Sequence, residues 1–491
     1  MGVIKRQGIQ SALITYAGMI TGFISLLVVQ PWLLTTEEIG LTRVIYSFSF
    51  LLSTLIPMSA GNITTRFFPQ FRNEHERHHG FLGLVLLMTL IGGLIVLSVV
   101  FILREQIKLQ YVDESPLFAE YFFVVFPLSL IVALISVVNT YLYAVFRPLL
   151  PALAQEVLIR LFFIALIVVY SFGFMRLHTF VLCFAGTYLL QLAIISIQVF
   201  RIGPVSLIPD KTLINPKILK GMLSFGFTIL GAGVASMAIK LLDAVVLGKY
   251  VHIGLVGVYG IAAFIPTFIE APVTALDKVA NSRVAHSLQH GEMDNIRSIY
   301  FQSSRFLFLL GGILFLLVVL NVKYLFQWLP PEFIPGIPVV KILSLAALFN
   351  LMTGSNTAII FNSEKFRWGA LALIGVAVIN LILLFILIPK FGIIGAAWAT
   401  CISSFIYNLF KYSFIYFKFR LQPFDRKTLF IVLAILAGYA AGSIVPASGI
   451  VIIDVAVHAI AGSAGYLPII WYSKAASDLK NHFNFGFLKH F

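Results

Sequence analysis

The chain has 491 residues, 60% of them hydrophobic and only 11% charged, with a mean hydropathy of +0.99. Soluble domains hold roughly 45 to 50% apolar residues, so a soluble enzyme or a nucleic-acid-binding domain is excluded. The net charge of +14 therefore falls to short connectors, where basic residues set orientation in a membrane.

A bilayer crossing needs about 20 apolar residues. Such spans are predicted at 8–32, 41–63, 80–103, 118–145, 149–172, 177–200, 221–248, 253–276, 299–322, 338–361, 368–388, 392–417, 428–446 and 450–473. The start, MGVIKRQGIQ, is basic, but the long apolar run after it has no small-residue cleavage site, so it reads as the first membrane helix and not as a removed signal. Cys183 and Cys401 both fall inside spans and read as small buried hydrophobes, neither disulfide partners nor metal ligands. An even number of spans puts both termini on one side. With that side inside, the inner connectors carry 22 Lys and Arg and the outer ones 6, a positive-inside bias that predicts cytoplasmic termini.

The connectors offer no room for a domain. The longest outer one, REQIKLQYVDESP (104–116), has thirteen residues, and inner ones such as FRNEHERHHG (71–80) are polar links. His75, His78 and His79, with Glu74 and Glu76, sit on that exposed link without a supporting shell, so no metal site is expected. No phosphate-cradling glycine loop is present, and the glycines of TILGAGVAS (228–236) suit close helix packing. Function must lie among the helices.

The two halves resemble each other. Ile39-Gly40-Leu41 matches Ile253-Gly254-Leu255, Arg66 in TTRFFPQF matches Arg283 in NSRVAHSL, and Phe172-Gly173 with Phe200-Arg201 matches Phe391-Gly392 with Phe419-Arg420, all in order. This pattern argues for a duplicated six-helix unit plus two further helices. Six being even, the repeats are parallel, as in alternating-access transporters. The expected domains are an N-lobe at 1–203, a C-lobe at 204–420, and two helices with a cytoplasmic tail at 421–491.

LTTEEIGLTRV (34–44), KLLDAVVLGKYVHIGLVGVYGIAAF (240–264), WLPPEFIPGIPVVKILSLAALFN (328–350) and PKFGIIGAAWAT (389–400) resemble the polysaccharide-transporter (Wzx-like oligosaccharide flippase) branch of the multidrug/oligosaccharidyl-lipid/polysaccharide exporter superfamily. The resemblance covers nearly the whole chain. It implies an all-α polytopic membrane protein of about 14 transmembrane helices, with two parallel six-helix lobes around a central cavity and two C-terminal helices. It also implies a cargo, a polyprenyl-diphosphate-linked oligosaccharide moved from the cytoplasmic to the outer leaflet for cell-surface polysaccharide synthesis in a bacterial inner membrane. In such flippases, cations facing the cavity hold the diphosphate, and the last two helices favour a lipid-linked cargo.

Carrying sugars and a diphosphate through about 30 Å of hydrocarbon needs a polar route, and Arg or Lys would offset the lost hydration of the phosphates. Intramembrane charges are therefore the candidate site. Lys240 lies near the midplane of the seventh span, with Asp243 at i+3 able to pair with it. Glu156 and Arg160 form an i, i+4 pair in the fifth span. For both pairs, a cavity role and a purely structural one stay open. Arg43, at the outer end of the second span, either serves the substrate or snorkels to headgroups. Arg66 and Arg283, at cytoplasmic ends, suit an inner gate or simple anchoring. Arg305 and Lys341 are expected to snorkel. Glu270, before Pro272, is a candidate for proton or cation coupling. Asp454 and His458 read as a local hydrogen-bonded pair.

These features predict no catalytic residue and no cofactor, with proton or sodium coupling left open. The expected partners are the lipid-linked oligosaccharide, membrane lipid, and a polysaccharide polymerase or other assembly proteins, but no nucleic acid. The alternative in the same fold is an ion-coupled small-molecule or drug antiporter, disfavoured by the two extra helices and by the lack of an acidic residue in the first span. A membrane glycosyltransferase, polymerase or ligase would need larger outer loops. A scaffold would leave the midplane charges unexplained.

Overall fold

The computed structural model describes residues 2–73, 77–202, 206–210 and 216–475, all as helices and connectors. The principal helices are α1 (Leu13–Leu33), α2 (Thr36–Phe71), α3 (His78–Ile102), α4 (Pro116–Ala144), α5 (Leu149–Ser171), α6 (Leu177–Ile202) and α7 (Pro216–Tyr250). They continue with α8 (Ile253–Phe264), α9 (Thr267–Gln289), α10 (Met293–Gln327), α11 (Ile337–Met352), α12 (Asn356–Asn362), α13 (Phe366–Phe419), α14 (Arg426–Ile444) and α15 (Val451–Tyr472).

Among the described residues, twelve helices are long and apolar enough to cross a membrane, or thirteen if α8 and the start of α9, bent by 45°, form one span. The difference from fourteen lies in α13. At 54 residues it would run about 80 Å at 1.5 Å per residue, far beyond the roughly 30 Å hydrocarbon core. It is broken at Gly392, where φ is 56° and ψ is −133°, so it contains both spans predicted at 368–388 and 392–417. Its repeat counterpart Gly173, between α5 and α6, also has positive φ, 78°. Both Phe-Gly pairs thus mark a reversal that a residue with a Cβ resists.

The chain forms two compact units, Met1–Gly260 and Ile261–Phe491. The predicted 203/204 boundary and the end of the tail lie outside the described residues, while 420/421 falls between α13 and α14.

In the first unit, Phe68, Phe81, Tyr141, Leu142 and Met222 bring α2, α3, α4 and α7 onto one apolar core. Glycine lets α2 and α8 meet backbone to backbone. A Cβ on Gly40 would lie 1.9 Å from the Ile253 carbonyl oxygen, and one on Gly257 would lie 2.3 Å from that of Thr36. The two Ile-Gly-Leu repeats therefore touch. The close packing expected in TILGAGVAS is absent at Gly233, where a Cβ would meet nothing within 4 Å. The outer connector is tied to α7, with Ser115 Oγ donating to the Gly248 carbonyl at 2.6 Å and Tyr111 to that of Val245 at 3.0 Å. On the inner link, His79 lies 3.4 Å from Asp210, while Glu74, His75 and Glu76 lie outside the described residues.

The second unit buries Phe308, Leu316, Ile435 and Tyr466 between α10, α14 and α15. Asp425 caps α14 through Thr428, a favoured use of a carboxylate at a helix N-terminus.

Candidate charge site among the membrane helices

In the first unit, Glu156 Oε2 is 3.6 Å from Arg160 Nη2, and the side chains are 35% and 33% exposed. The pair forms as expected, and neither member is sealed into helix packing. Arg160 also donates to the Gly18 carbonyl of α1. This approach depends on Gly18-Met-Ile-Thr-Gly22, because a Cβ at Gly18 would lie 2.8 Å from Glu156 Cβ and one at Gly22 2.7 Å from Arg160 Nη1. Small residues four apart allow such contact between membrane helices. Both partners carry a π-helical turn, Ile24–Val29 and Ala154–Leu158, and Glu156 lies in the second. Such turns concentrate at functional sites.

Arg43, on α2, is half-buried, its stem 3.5 Å from where a Cβ on Gly260 would stand. Its Nε is buried without a hydrogen-bond partner. It lies within electrostatic range of Asp243 and Tyr46, and Tyr46 is also in range of Arg160 and Glu156. The structure thus places Arg43, Arg160 and Glu156 in range of Tyr46, and Asp243 in range of Arg43, within one unit.

Asp243 does not pair with Lys240. Its carboxylate is buried and accepts hydrogen bonds from the Tyr259 hydroxyl and the Ala244 amide, each at 2.7 Å, while Lys240 is exposed. Three residues on a helix leave about 60° between side-chain directions, enough to turn one inward and the other out. Arg66, on the second half of α2, is exposed and lies 4.3 Å over the Phe225 ring of α7. Arg283 is exposed on α9.

In the second unit, Glu270 accepts from Asn350 Nδ2 at 3.3 Å. Nearby is a residue that the sequence reading passed over. Lys411 of α13 is 3% exposed, donates to Thr357 Oγ1 at 3.3 Å and lies 4.4 Å over the Tyr407 ring. Its neighbours come from helices far apart in sequence, so only its presence in an apolar span signalled it. Tyr259 carries even less signal, while the GxxxG spacing of Gly18 and Gly22 was readable.

One further expectation is corrected and another is refined. Arg305 does not snorkel; its side chain is 2% exposed, pairs with Asp425 and lies 4.3 Å over Phe301. A carboxylate within reach makes burial of the guanidinium less costly than extending it to headgroups. Burial would raise the Asp425 carboxyl, but the Arg305 hydrogen bond and charge, with the Thr428 donors, hold it below its ordinary value. Asp454 and His458 form the expected local hydrogen-bonded pair, but through the Asp454 backbone carbonyl and not its carboxylate. Asp454 accepts from the Ser448 and Gly449 amides at 2.6 and 3.2 Å. His458 contacts the Asp454 carbonyl at 2.7 Å and Tyr324 at 3.1 Å. The loop amides, unsatisfied in an apolar setting, take the carboxylate first.

The polysaccharide biosynthesis protein family model matches residues 4–276, more than half of the chain. The chain belongs to that family. No curated protein matches it. Among solved structures, this family member is similar to the lipid II flippase MurJ in an inward closed conformation, with 15% identity, a TM-score of 0.72, and coverage of 95% of this chain and 99% of that one. It is also similar to an inward-facing multidrug resistance MATE family transporter of the MOP superfamily, with 15% identity, a TM-score of 0.63, and coverage of 83% and 94%. A MOP superfamily transporter from Pyrococcus furiosus matches with 14% identity, a TM-score of 0.56, and coverage of 84% and 94%. The polysaccharide biosynthesis family member is therefore an all-helical, multi-pass membrane protein with the fold of MurJ and of the MATE transporters.

Proposed function

We propose that the protein is a flippase that carries a polyprenyl-diphosphate-linked oligosaccharide from the cytoplasmic to the outer leaflet by alternating access, for cell-surface polysaccharide synthesis. The observation that carries this reading is the Arg43 and Arg160 group within membrane helices, with Arg160 one-third exposed and its carboxylate partner 3.6 Å away. A diphosphate bound there would compete with Glu156 for the guanidinium, and Arg offers it bidentate, charge-assisted hydrogen bonds. Lys240, Arg66 and Arg283, all exposed, are the further cations proposed to meet the headgroup. Asp243 and Glu156 balance the charge when the site is empty.

The lipid-linked cargo is supported by coverage. The lipid II flippase fold spans 95% of this chain, against 83 and 84% for the drug-transporter and archaeal folds. We place the protein in a bacterial cytoplasmic membrane with both termini inside, on the basic bias of the inner connectors, beside polymerase or assembly partners that take the product.

The test is accumulation of lipid-linked oligosaccharide in cells lacking the protein, with sidedness read by an impermeant glycan-modifying probe. Accumulation confined to the cytoplasmic leaflet, reversed by the wild-type chain and not by Lys240→Ala, is expected. Intact glycan export without accumulation would overturn the proposal in favour of an ion-coupled small-molecule antiporter.

A further inference from the structure

Aromatic rings of the first unit form a continuous chain across three helices. Tyr46 stacks on Phe50 of the same helix, α2, with centroids 4.0 Å apart and planes at 28°. Phe50 meets Tyr188 of α6 edge-on at 5.8 Å, Tyr188 meets Phe184 edge-on at 5.7 Å, and Phe184 meets Phe163 of α5 at 5.2 Å. Phe163 stands one turn beyond Arg160 on α5, so the rings lead to the guanidinium. Tyr46 and Tyr188 both lie within electrostatic range of it. At 1.5 Å per residue, Tyr46, Tyr188 and Arg160 are each about 15 Å into their helices, half of the roughly 30 Å core.

Two of these rings carry hydroxyls that the fold does not use. Tyr46 and Tyr188 are half-buried, and neither hydroxyl has a hydrogen-bond partner among the described residues. Tyr111, Tyr259 and Tyr466, by contrast, donate to protein oxygens at 2.7–3.0 Å. A phenol shut away from water without a partner is costly, so the two open hydroxyls need water or a ligand. The neighbouring Arg160 and Glu156 are one-third exposed, and charges at this depth face a polar space and not lipid.

A sugar ring has the matching chemistry. Its C–H faces suit the negative face of an aromatic ring, and its rim hydroxyls suit phenols. A prenyl tail would cover the hydroxyls without compensating them. We propose that Tyr46, Phe50 and Tyr188 form the subsite for the sugar attached to the diphosphate, and that the two phenols set which sugar is accepted. This deepens the flippase reading and rests on it. The first sugar is covalently joined to the diphosphate, so its subsite has to adjoin the phosphate-binding cation, as the ring chain adjoins Arg160. Sites that hydrogen-bond a substrate hydroxyl reject analogues lacking it far more strongly than apolar pockets reject a size change.

The test is equilibrium binding to the full-length protein in nanodiscs of a bare polyprenyl diphosphate and of the same lipid carrying one hexose or one N-acetylhexosamine. At least one sugar-bearing lipid is expected to bind about three- to tenfold more tightly than the bare one, the worth of one hydrogen bond or a little more. Tyr46→Phe and Tyr188→Phe should each lower that ratio, and the double variant should bring it to about one, whereas Arg160→Ala should weaken every lipid. The proposal is overturned if no sugar raises the affinity of the wild-type protein, or if the double variant keeps the ratio. Preferential binding of the organic cation tetraphenylphosphonium over every sugar-bearing lipid would also overturn it, assigning the rings to a drug-type cargo. Monodisperse elution of each variant excludes misfolding. Loss of the sugar preference argument leaves the flippase reading to the leaflet assay, which tests it separately.

Discussion

Tyr259 of α8 donates a 2.7 Å hydrogen bond to the buried carboxylate of Asp243 on α7, beside the glycines through which α8 meets α2. The opposite charges of the seventh span are thus accommodated separately, one satisfied by a tyrosine and a backbone amide, the other exposed. Tyr259→Phe removes the donor and keeps the ring. We expect a loss of about 1.5–3 kcal/mol, the worth of a hydrogen bond to a charged group, read as a lower unfolding temperature of the purified protein. Tyr259→Phe combined with Asp243→Asn should lose less than the single change, because no buried carboxylate is left undersatisfied.

The α2 and α8 crossing predicts a sharp contrast between glycines. Gly257→Ala places a methyl 2.3 Å from a carbonyl oxygen; backbone must move, and a loss of about 3 kcal/mol or more is expected. Gly233→Ala meets nothing within 4 Å and should be neutral or stabilise by up to about 1 kcal/mol. Fluorescence-detected size exclusion after a heat challenge would rank the two.

Gly22→Ala should mimic the loss of Arg160 without removing a charge. Its methyl would stand 2.7 Å from Arg160 Nη1 and displace the guanidinium. We expect Gly22→Ala and Arg160→Ala each to cut flipping at least about tenfold, the effect of roughly 1.4 kcal/mol. Arg160→Lys should restore little, as an ammonium lacks the planar fork. Full transport by Gly22→Ala, in the leaflet assay, would remove the Arg160 position from the mechanism.

The Arg305 and Asp425 pair gives a pH dependence with a defined sign. The folded-state value of Asp425 is lowered, so its contribution is fully present above the unfolded carboxylate value of about 3.9. It is lost as pH falls through the lower folded value. Asp425→Asn should therefore lower the melting temperature at neutral pH, and the gap to wild type should close on strong acidification.

The sequence carried the helical architecture because apolar length is a local property, and the repeat was legible because Gly173 and Gly392 must both adopt positive φ. The existence of intramembrane charges was equally plain. Their partners were not, because pairing depends on angles around a helix and on contacts between distant segments. Asp243 and Lys240 are close in sequence yet face different environments, whereas Arg305 meets Asp425 120 residues away. Lys411 was given no role because its hydrogen-bond partner, Thr357, lies on another helix 54 residues away.

That separation has a consequence for how the protein is made. Arg305 leaves the ribosome 120 residues ahead of its carboxylate, which at about 5–20 residues per second is roughly 6–24 s of synthesis. Throughout this interval the Asp425 carboxylate is not yet available to the Arg305 guanidinium. Arrival of Asp425 at the head of α14 completes the pair, so a chain truncated before α14 would lack the carboxylate that Arg305 meets in the full-length fold. The last hairpin thereby acts as a seal of completion in biogenesis.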